Sequence, residues 1–90
     1  MNLDYDDRLA RLGDEVPVLS TPGANYVPYT QAGSLVYLAG QIPRNGDRID
    51  YLGQLGATLT TQEGYRAARS CALNLIVQIR TACGGSLSRV

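Results

Sequence analysis

The sequence predicts an α+β fold made of a short N-terminal helix, two to three β-strands and one long amphipathic helix. Two strand-like runs, 26–32 and 35–42, flank a Gly-Ser pair that is typical of a turn. A proline-free stretch, 62–83, then carries apolar residues at helical spacing. Ninety residues allow one domain. We therefore expect 1–90 to form a single domain whose first 24 residues are a helix and an extended connector.

The N-terminal segment is predicted to be a short surface helix over 4–12. Asp4 is a suitable N-cap and Gly13 a suitable stop. The acidic residues Asp4, Asp6 and Asp7 lack the glycine and distal glutamate of a calcium loop, so we expect a solvated helix start and no cation site. Prolines and glycines over 13–25 predict the connector.

Of the two predicted strands, 35–42 has the clearer sequence pattern. Both of its alternating faces are mostly apolar, which predicts a central strand covered on both sides. Pro28 makes the run 26–32 an edge or irregular strand. Gly40 predicts a bulge or a close approach by backbone or ligand. Asn45-Gly46 predicts a hairpin turn, with a short third strand within 48–55.

The long helix has clear signals at both ends. Thr60 and Glu63 have the spacing of a capping box, and Gly84-Gly85 ends the helix. The predicted apolar face consists of Tyr65, Ala68, Ala72, Leu75, Ile76, Ile79 and Cys83. The residues predicted to lie away from it are Arg66, Ser70, Asn74 and Gln78. The segment 86–90 is predicted to lead into another strand.

Two or three strands form a sheet with an open edge. We therefore expect either more chain after Val90 or pairing with other subunits.

Composition excludes several functions. The chain has no histidine, so it cannot form a Ser-His or Cys-His catalytic pair. It has no cluster of metal-ligating residues, so we expect no metal site. It also has no glycine-rich phosphate-binding motif, so we expect no nucleotide cofactor. Eight arginines balance eight acidic residues, which argues against nucleic acid as a partner. No apolar run reaches membrane-spanning length, and the acidic N-terminus is not a signal peptide, so we expect a cytoplasmic location. Cys71 and Cys83 are predicted to be reduced, packed thiols.

The strand sequences resemble those of a known family. PYTQA at 28–32 and LAGQIP at 38–43 are similar to the PYSQA-like strand and the SGQIP strand end of the RidA (YjgF) family, the reactive intermediate/imine deaminases. The stretches GQLG at 53–56, ALNL at 72–75 and GGSLSRV at 84–90 also resemble it. The resemblance runs from about residue 25 to residue 90.

The resemblance implies a chorismate-mutase-like fold and homotrimers with ligand clefts between subunits. It implies hydrolysis of enamines and imines such as 2-aminoacrylate to the keto acid and ammonia, without a cofactor. It also implies that Tyr29 lines the cleft and that the backbone of Gly40 approaches a small carboxylate-bearing ligand. The family's carboxylate-binding arginine belongs to the part of the pattern beyond Val90, so no catalytic residue is assigned within 1–90.

Three interpretations remain open at the level of sequence. The chain is the N-terminal portion of a deaminase, a non-catalytic ligand-binding or interaction module, or a truncated product without activity. Tyr29 and Gly40 each have a structural alternative, namely edge packing for the tyrosine and a bulge or tight strand packing for the glycine. Arg44 and Arg48 flank the predicted hairpin turn, where solvated charge is the ordinary role. Arg66 and Arg69 lie on or beside the polar helix face, and we do not expect them to replace the family's carboxylate-binding arginine.

Overall fold

The computed structural model describes residues 4–19, 27–46 and 48–90. The elements, in chain order, are α1 (Tyr5–Ala10), a 3-10 turn (Gly13–Glu15), β1 (Tyr29–Ala32), β2 (Leu35–Leu38), β3 (Arg44–Asn45), β4 (Arg48–Ile49), α2 (Thr61–Ala82) and a second 3-10 turn (Leu87–Arg89). This is the predicted α+β architecture. The connector residues 20–25 and Tyr26, the predicted start of the first strand, lie outside the described residues. No helix within the described ranges has the length and apolarity to cross a membrane.

The strands form two separate antiparallel hairpins. In the first, β1 pairs with β2 so that Tyr29 lies opposite Leu38 and Ala32 opposite Leu35. The turn between them contains Gly33, whose φ of 61° is a conformation that glycine adopts without strain. In the second, β3 pairs with β4. The predicted short strand within 48–55 is confirmed as β4, which ends at Ile49 and pairs with β3 and not with the first hairpin.

The N-terminal helix begins as predicted but is linked to the C-terminal turn. The Asp4 carboxylate accepts hydrogen bonds from the amides of Asp6 and Asp7, which is an N-cap. The Asp6 carboxylate accepts from the Leu87 amide at 3.1 Å and from the Ser86 hydroxyl at 3.1 Å. The expected solvated helix start is therefore wrong for Asp6. The segment 86–90, predicted as the approach to a strand, is instead a 3-10 turn held by this carboxylate.

The long helix α2 is fixed at its N-terminus by the predicted capping box. The Thr60 hydroxyl accepts from the Glu63 amide at 3.1 Å, and the Glu63 carboxylate accepts from the Thr60 amide at 3.0 Å. The helix ends at Ala82, followed by Gly84 and Gly85 with φ of 74° and 96°. Both predicted ends are confirmed within one residue because capping depends on local sequence.

One face of the first hairpin is uncovered. Along β2, Val36 and Leu38 are half-buried, whereas Leu35 and Tyr37 keep 58% and 57% of their surface exposed. Successive side chains of a strand point to opposite faces, and α2 packs against this hairpin. The half-buried pair therefore lies on the α2 side. The prediction that this strand is covered on both sides is wrong for the described residues.

The buried face of α2 is not the predicted one. The side chains buried against the rest of the molecule are Leu73, Asn74, Val77 and Gln78. On a helix of 3.6 residues per turn, this face lies opposite the predicted apolar face. Tyr65, on the predicted face, keeps 75% of its surface exposed. The helix thus carries apolar residues on two opposite sides, and the hydrophobic pattern alone could not decide which side packs against the strands.

Candidate functional site

The two predicted ligand-contacting residues lie at the same end of the first hairpin. Tyr29, the first residue of β1, is half-buried and pairs with Leu38, the last residue of β2. Gly40 follows two residues later. The pairing continues past the strand because the Ala39 amide donates to the Pro28 carbonyl at 2.9 Å. The hairpin register therefore brings Tyr29 and Gly40 to one end of the sheet, which sequence spacing alone did not establish.

A shallow cavity of about 230 Å³ lies beside Tyr29. It is lined by Val27, Tyr29, Thr30, Tyr37, Leu38 and Ala39. None of these described lining residues carries a charge. The phenol and hydroxyl groups of the tyrosines and the threonine are its side-chain hydrogen-bonding groups. The cavity can therefore orient a small ligand, but the described chain supplies no cation there to bind a carboxylate.

Gly40 lies in open space. A Cβ built on it would meet no protein atom within 4 Å, and its φ is not in the positive range. Tight strand packing and a left-handed backbone therefore do not explain this glycine within the described part of the chain. The predicted approach of a ligand to its backbone stays a prediction.

Asn74 anchors the segment that follows Gly40. Its carboxamide Nδ2 is within hydrogen-bond distance of the carbonyls of Ile42 at 3.2 Å, Arg44 at 2.9 Å and Ser70 at 3.1 Å. The first two bonds join α2 to Ile42, two residues after Gly40, and to Arg44, the first residue of β3. Sequence reasoning placed Asn74 away from the predicted apolar face and missed this role. An asparagine in mid-helix is the one signal that could have indicated it, because asparagine competes for backbone hydrogen bonds.

A second, polar cleft lies between the first 3-10 turn, the β3–β4 hairpin and the first half of α2. Its volume is about 340 Å³, and the buried side chains of Pro17 and Leu73 are among its lining residues. Two ion pairs border it. Arg69 donates to both carboxylate oxygens of Glu15, and Arg48 Nε lies 3.0 Å from Asp50 Oδ1. The hydrogen bonds from Arg69 lower the pKa of Glu15 below its ordinary value.

The cysteines behave as structural residues. Cys71 and Cys83 are both reduced and half-buried, as predicted. Burial raises the pKa of the Cys71 thiol, which disfavours the reactive thiolate. Within 4–19, 27–46 and 48–90, no group of three or more histidine, cysteine, aspartate or glutamate side chains is placed to hold a metal ion.

Comparison with known proteins gives a consistent result. Residues 6–90 match the family model described as "YjgF/chorismate mutase-like, putative endoribonuclease". The chain is 44% identical to Protein TCP17 of Trypanosoma cruzi over 82 aligned residues. The aligned region covers 91% of this chain and 51% of that protein.

Two solved structures are similar to this one. A protein of Shewanella oneidensis described as a "putative endoribonuclease" has a TM-score of 0.84 and 41% identity, covering 97% of this chain and 57% of that one. Atu1372 of Agrobacterium tumefaciens, described as having unknown function, has a TM-score of 0.75 and 38% identity, covering 92% of this chain and 50% of that one. The chain therefore spans about half the length of the relatives it matches.

Proposed function

The chain belongs to the YjgF/chorismate mutase-like family, and from that premise we propose that it forms one wall of a site that hydrolyses reactive enamines and imines. The observation that carries this proposal is the convergence of Tyr29 and Gly40 at one end of the first hairpin, beside an uncharged cavity. The rest of the site, including the group that binds the substrate carboxylate, comes from polypeptide outside 1–90.

The reaction suits a site without histidine or metal. 2-Aminoacrylate tautomerises to 2-iminopropionate, whose imine carbon is electrophilic. Water adds across the C=N bond, its oxygen to carbon and one proton to nitrogen, to form a carbinolamine. The hydroxyl proton then moves to nitrogen as the C–N bond breaks, and ammonia leaves. The products are pyruvate and ammonia. The protein therefore needs to orient the substrate, hold the water and assist proton transfer.

Each wall residue has a defined part in this proposal. The Tyr29 phenol donates or accepts a hydrogen bond at the cavity and orients the planar imine. Gly40 lets the ligand approach the backbone, because no side chain stands in the open space next to it. Asn74 is a positioning residue, since its bonds to the Ile42 and Arg44 carbonyls fix the chain that follows Gly40.

A chimera tests this division of the site. The 90 residues are joined to the remaining half of the Shewanella relative, and pyruvate release from enzymatically generated 2-aminoacrylate is compared with spontaneous hydrolysis. The chimera is expected to accelerate pyruvate release, and Tyr29→Phe is expected to lower kcat/KM about tenfold or more. Tyr65→Phe, on the exposed side of α2, is the matched control and is expected to leave the rate unchanged.

Two outcomes would contradict the proposal. A folded chimera with no acceleration would exclude imine hydrolysis at this site. An active chimera in which Tyr29→Phe and Tyr65→Phe are equally active would exclude the role of Tyr29. The alternative of a non-catalytic module is favoured by one observation, the lack of a charged lining residue in the described cavity. Acetate or pyruvate binding by an inactive chimera would support that alternative.

We also propose that the uncovered face of the first hairpin contacts further copies of the chain, as a homotrimer with small carboxylate ligands at the subunit interfaces. Leu35 and Tyr37 are the large apolar residues exposed there, and exposed apolar patches mark interaction surfaces.

Tyr37→Lys is expected to shift the sedimentation coefficient of the chimera to that of a monomer. Leu52→Lys, at an exposed loop residue, is the control. A trimer that persists in Tyr37→Lys would contradict this assignment of the interface.

RNA cleavage, the activity that the family's description names, has less support in this chain. Its eight arginines are matched by eight acidic residues. Binding to a phosphate backbone depends on surplus cations that displace counterions. We therefore place imine hydrolysis ahead of nuclease activity for the complete site.

A further inference from the structure

The polar cleft beside Arg66 is separate from the cavity at Tyr29. The two cavities share no lining residue. The cleft lies between the 3-10 turn over Gly13–Glu15, the β3–β4 hairpin and α2, and its volume of about 340 Å³ is within the range of small-molecule sites, about 300–1,000 Å³. It therefore merits its own functional assignment, which goes beyond imine hydrolysis.

Charge defines what this cleft can bind. Its charged lining residues are three arginines and three acids, namely Arg48, Arg66, Arg69, Asp14, Glu15 and Asp50. Four of them are used in the Arg69–Glu15 and Arg48–Asp50 ion pairs. The balance is neutral, which disfavours a phosphate or another multiply charged anion.

The remaining two charges are of opposite sign. Within the described residues, neither Arg66 nor Asp14 makes a side-chain hydrogen bond or an ion pair within 4 Å. Arg66 does interact electrostatically with Glu63, whose carboxylate accepts a hydrogen bond from the Thr60 amide at the start of α2. A guanidinium binds a carboxylate with two parallel hydrogen bonds, and a carboxylate accepts hydrogen bonds from an ammonium group. One lining cation and one lining anion that are not paired with each other are therefore complementary to a ligand that carries both charges.

The other lining residues fit the same ligand. Pro17 and Leu73, both buried, offer apolar surface for a short aliphatic side chain. Tyr51 also lines the cleft, and it is the one non-glycine residue with a positive φ, 58°, in the described ranges. A tyrosine in this conformation is uncommon, and strained backbone residues cluster at ligand sites.

We propose that this cleft binds a free α-amino acid with a short aliphatic side chain, its carboxylate on Arg66 and its ammonium group on Asp14. L-Alanine is the probe, and its two half-ligands are propionate, which lacks the ammonium group, and ethylammonium, which lacks the carboxylate. Binding to the ¹⁵N-labelled 90-residue chain is followed by NMR chemical-shift titration. L-Alanine is expected to bind about tenfold or more tightly than either half-ligand, with the largest shifts at Ser70 and Leu73.

Two variants assign the ends of the ligand. Asp14→Asn is expected to lower the affinity for L-alanine to the affinity that the unmodified chain has for propionate. Arg66→Gln is expected to lower the affinity for L-alanine to the affinity that the unmodified chain has for ethylammonium. Both side chains are exposed and make no bond in the described chain, so both variants are expected to fold. Arg11→Gln and Asp7→Asn, which remove one charge of each sign on and next to α1, are the matched controls and are expected to leave binding unchanged.

Three results would overturn the proposal. The first is equal affinity for propionate and L-alanine, which indicates a simple anion site. The second is unaltered L-alanine binding in Asp14→Asn or in Arg66→Gln. The third is no saturable shift with L-alanine at all. None of these results bears on imine hydrolysis, because the chimera assay probes Tyr29 and shares no residue with this cleft.

Discussion

Two opposite faces of α2 both carry apolar side chains but have different environments. On one face, Leu73 and Val77 are 5% and 3% exposed and pack towards the strands. On the other, Tyr65 and Ile76 are 75% and 37% exposed. The buried face also contains Asn74 and Gln78, so it is the more polar of the two by residue type.

The difference shows that hydropathy identifies surfaces that can be buried, whereas hydrogen bonding decides which one meets the strands. Asn74 is buried at little cost because its carboxamide has three carbonyl acceptors, one of them between β2 and β3 and one on β3. An aliphatic residue at that position would leave those carbonyls without this donor.

The largest expected effect compares the two faces directly. Leu73→Ala is expected to destabilise the chain by about 2–5 kcal/mol, because it removes a buried side chain and leaves a cavity. Ile76→Ala, on the opposite face, is expected to cost less than about 1 kcal/mol, since its side chain already contacts solvent. Urea unfolding monitored by circular dichroism measures both values. Equal losses would contradict the difference between the two faces, and a larger loss for Ile76→Ala would show that the other face of α2 is the buried one.

The next effect tests the polar anchor on the buried face. Asn74→Ala is expected to cost about 1–3 kcal/mol, because it removes the donor that joins α2 to the Ile42 and Arg44 carbonyls. Gln62→Ala, at an exposed residue in the first turn of α2, is the control and is expected to change the free energy of unfolding by under about 0.5 kcal/mol. If the two variants unfold at the same urea concentration, Asn74 does not anchor the helix.

A smaller effect is expected at the N-terminus of α2, where the capping box stabilises the helix independently of which face is buried. Thr60→Ala removes the N-cap hydroxyl of the capping box and is expected to cost about 1 kcal/mol. Thr61→Ala, one residue later and exposed, keeps the cap intact and serves as the control. A thermal melt that gives both variants the same Tm would indicate that the capping box does not form.

The smallest effect concerns the ion pair that ties the first 3-10 turn to α2. The hydrogen bonds from Arg69 lower the pKa of Glu15, so the folded chain binds this proton less readily than the unfolded chain does. The stabilisation is therefore present above the ordinary glutamate pKa of about 4.3 and is lost as pH falls through the lower pKa of the folded state. Glu15→Gln and Arg69→Gln are each expected to weaken the acid dependence of the urea midpoint between about pH 5 and pH 3. An unchanged acid dependence in both would contradict the pair.

Local features of the fold were predictable from the sequence. The Asp4 cap, the Thr60–Glu63 box and the Gly33 turn each depend on a few adjacent residues, and each is confirmed. The second hairpin is also present, although its turn lies one residue later than expected because Asn45 pairs with Arg48.

Long-range features were not predictable in the same way. The Asp6 carboxylate binds the Leu87 amide 81 residues away, and the Asn74 carboxamide binds a carbonyl 32 residues away. No spacing rule links such partners. The placement of Tyr29 beside the end of β2 depends on strand register, and the polar cleft depends on three elements meeting. The sequence therefore predicted residues of the first site, whereas it gave no sign that Arg66 and Arg69 line a second one.

The central claim is that residues 1–90 form a wall of the imine-hydrolysing site but not its carboxylate-binding group. The most direct measurement is the rate of pyruvate formation from 2-aminoacrylate in the presence of the 90-residue chain, with its mass verified. The account predicts the spontaneous rate at every concentration of the chain. Acceleration that rises with chain concentration and disappears in Tyr29→Phe would show that these residues form the complete site, and would contradict the claim.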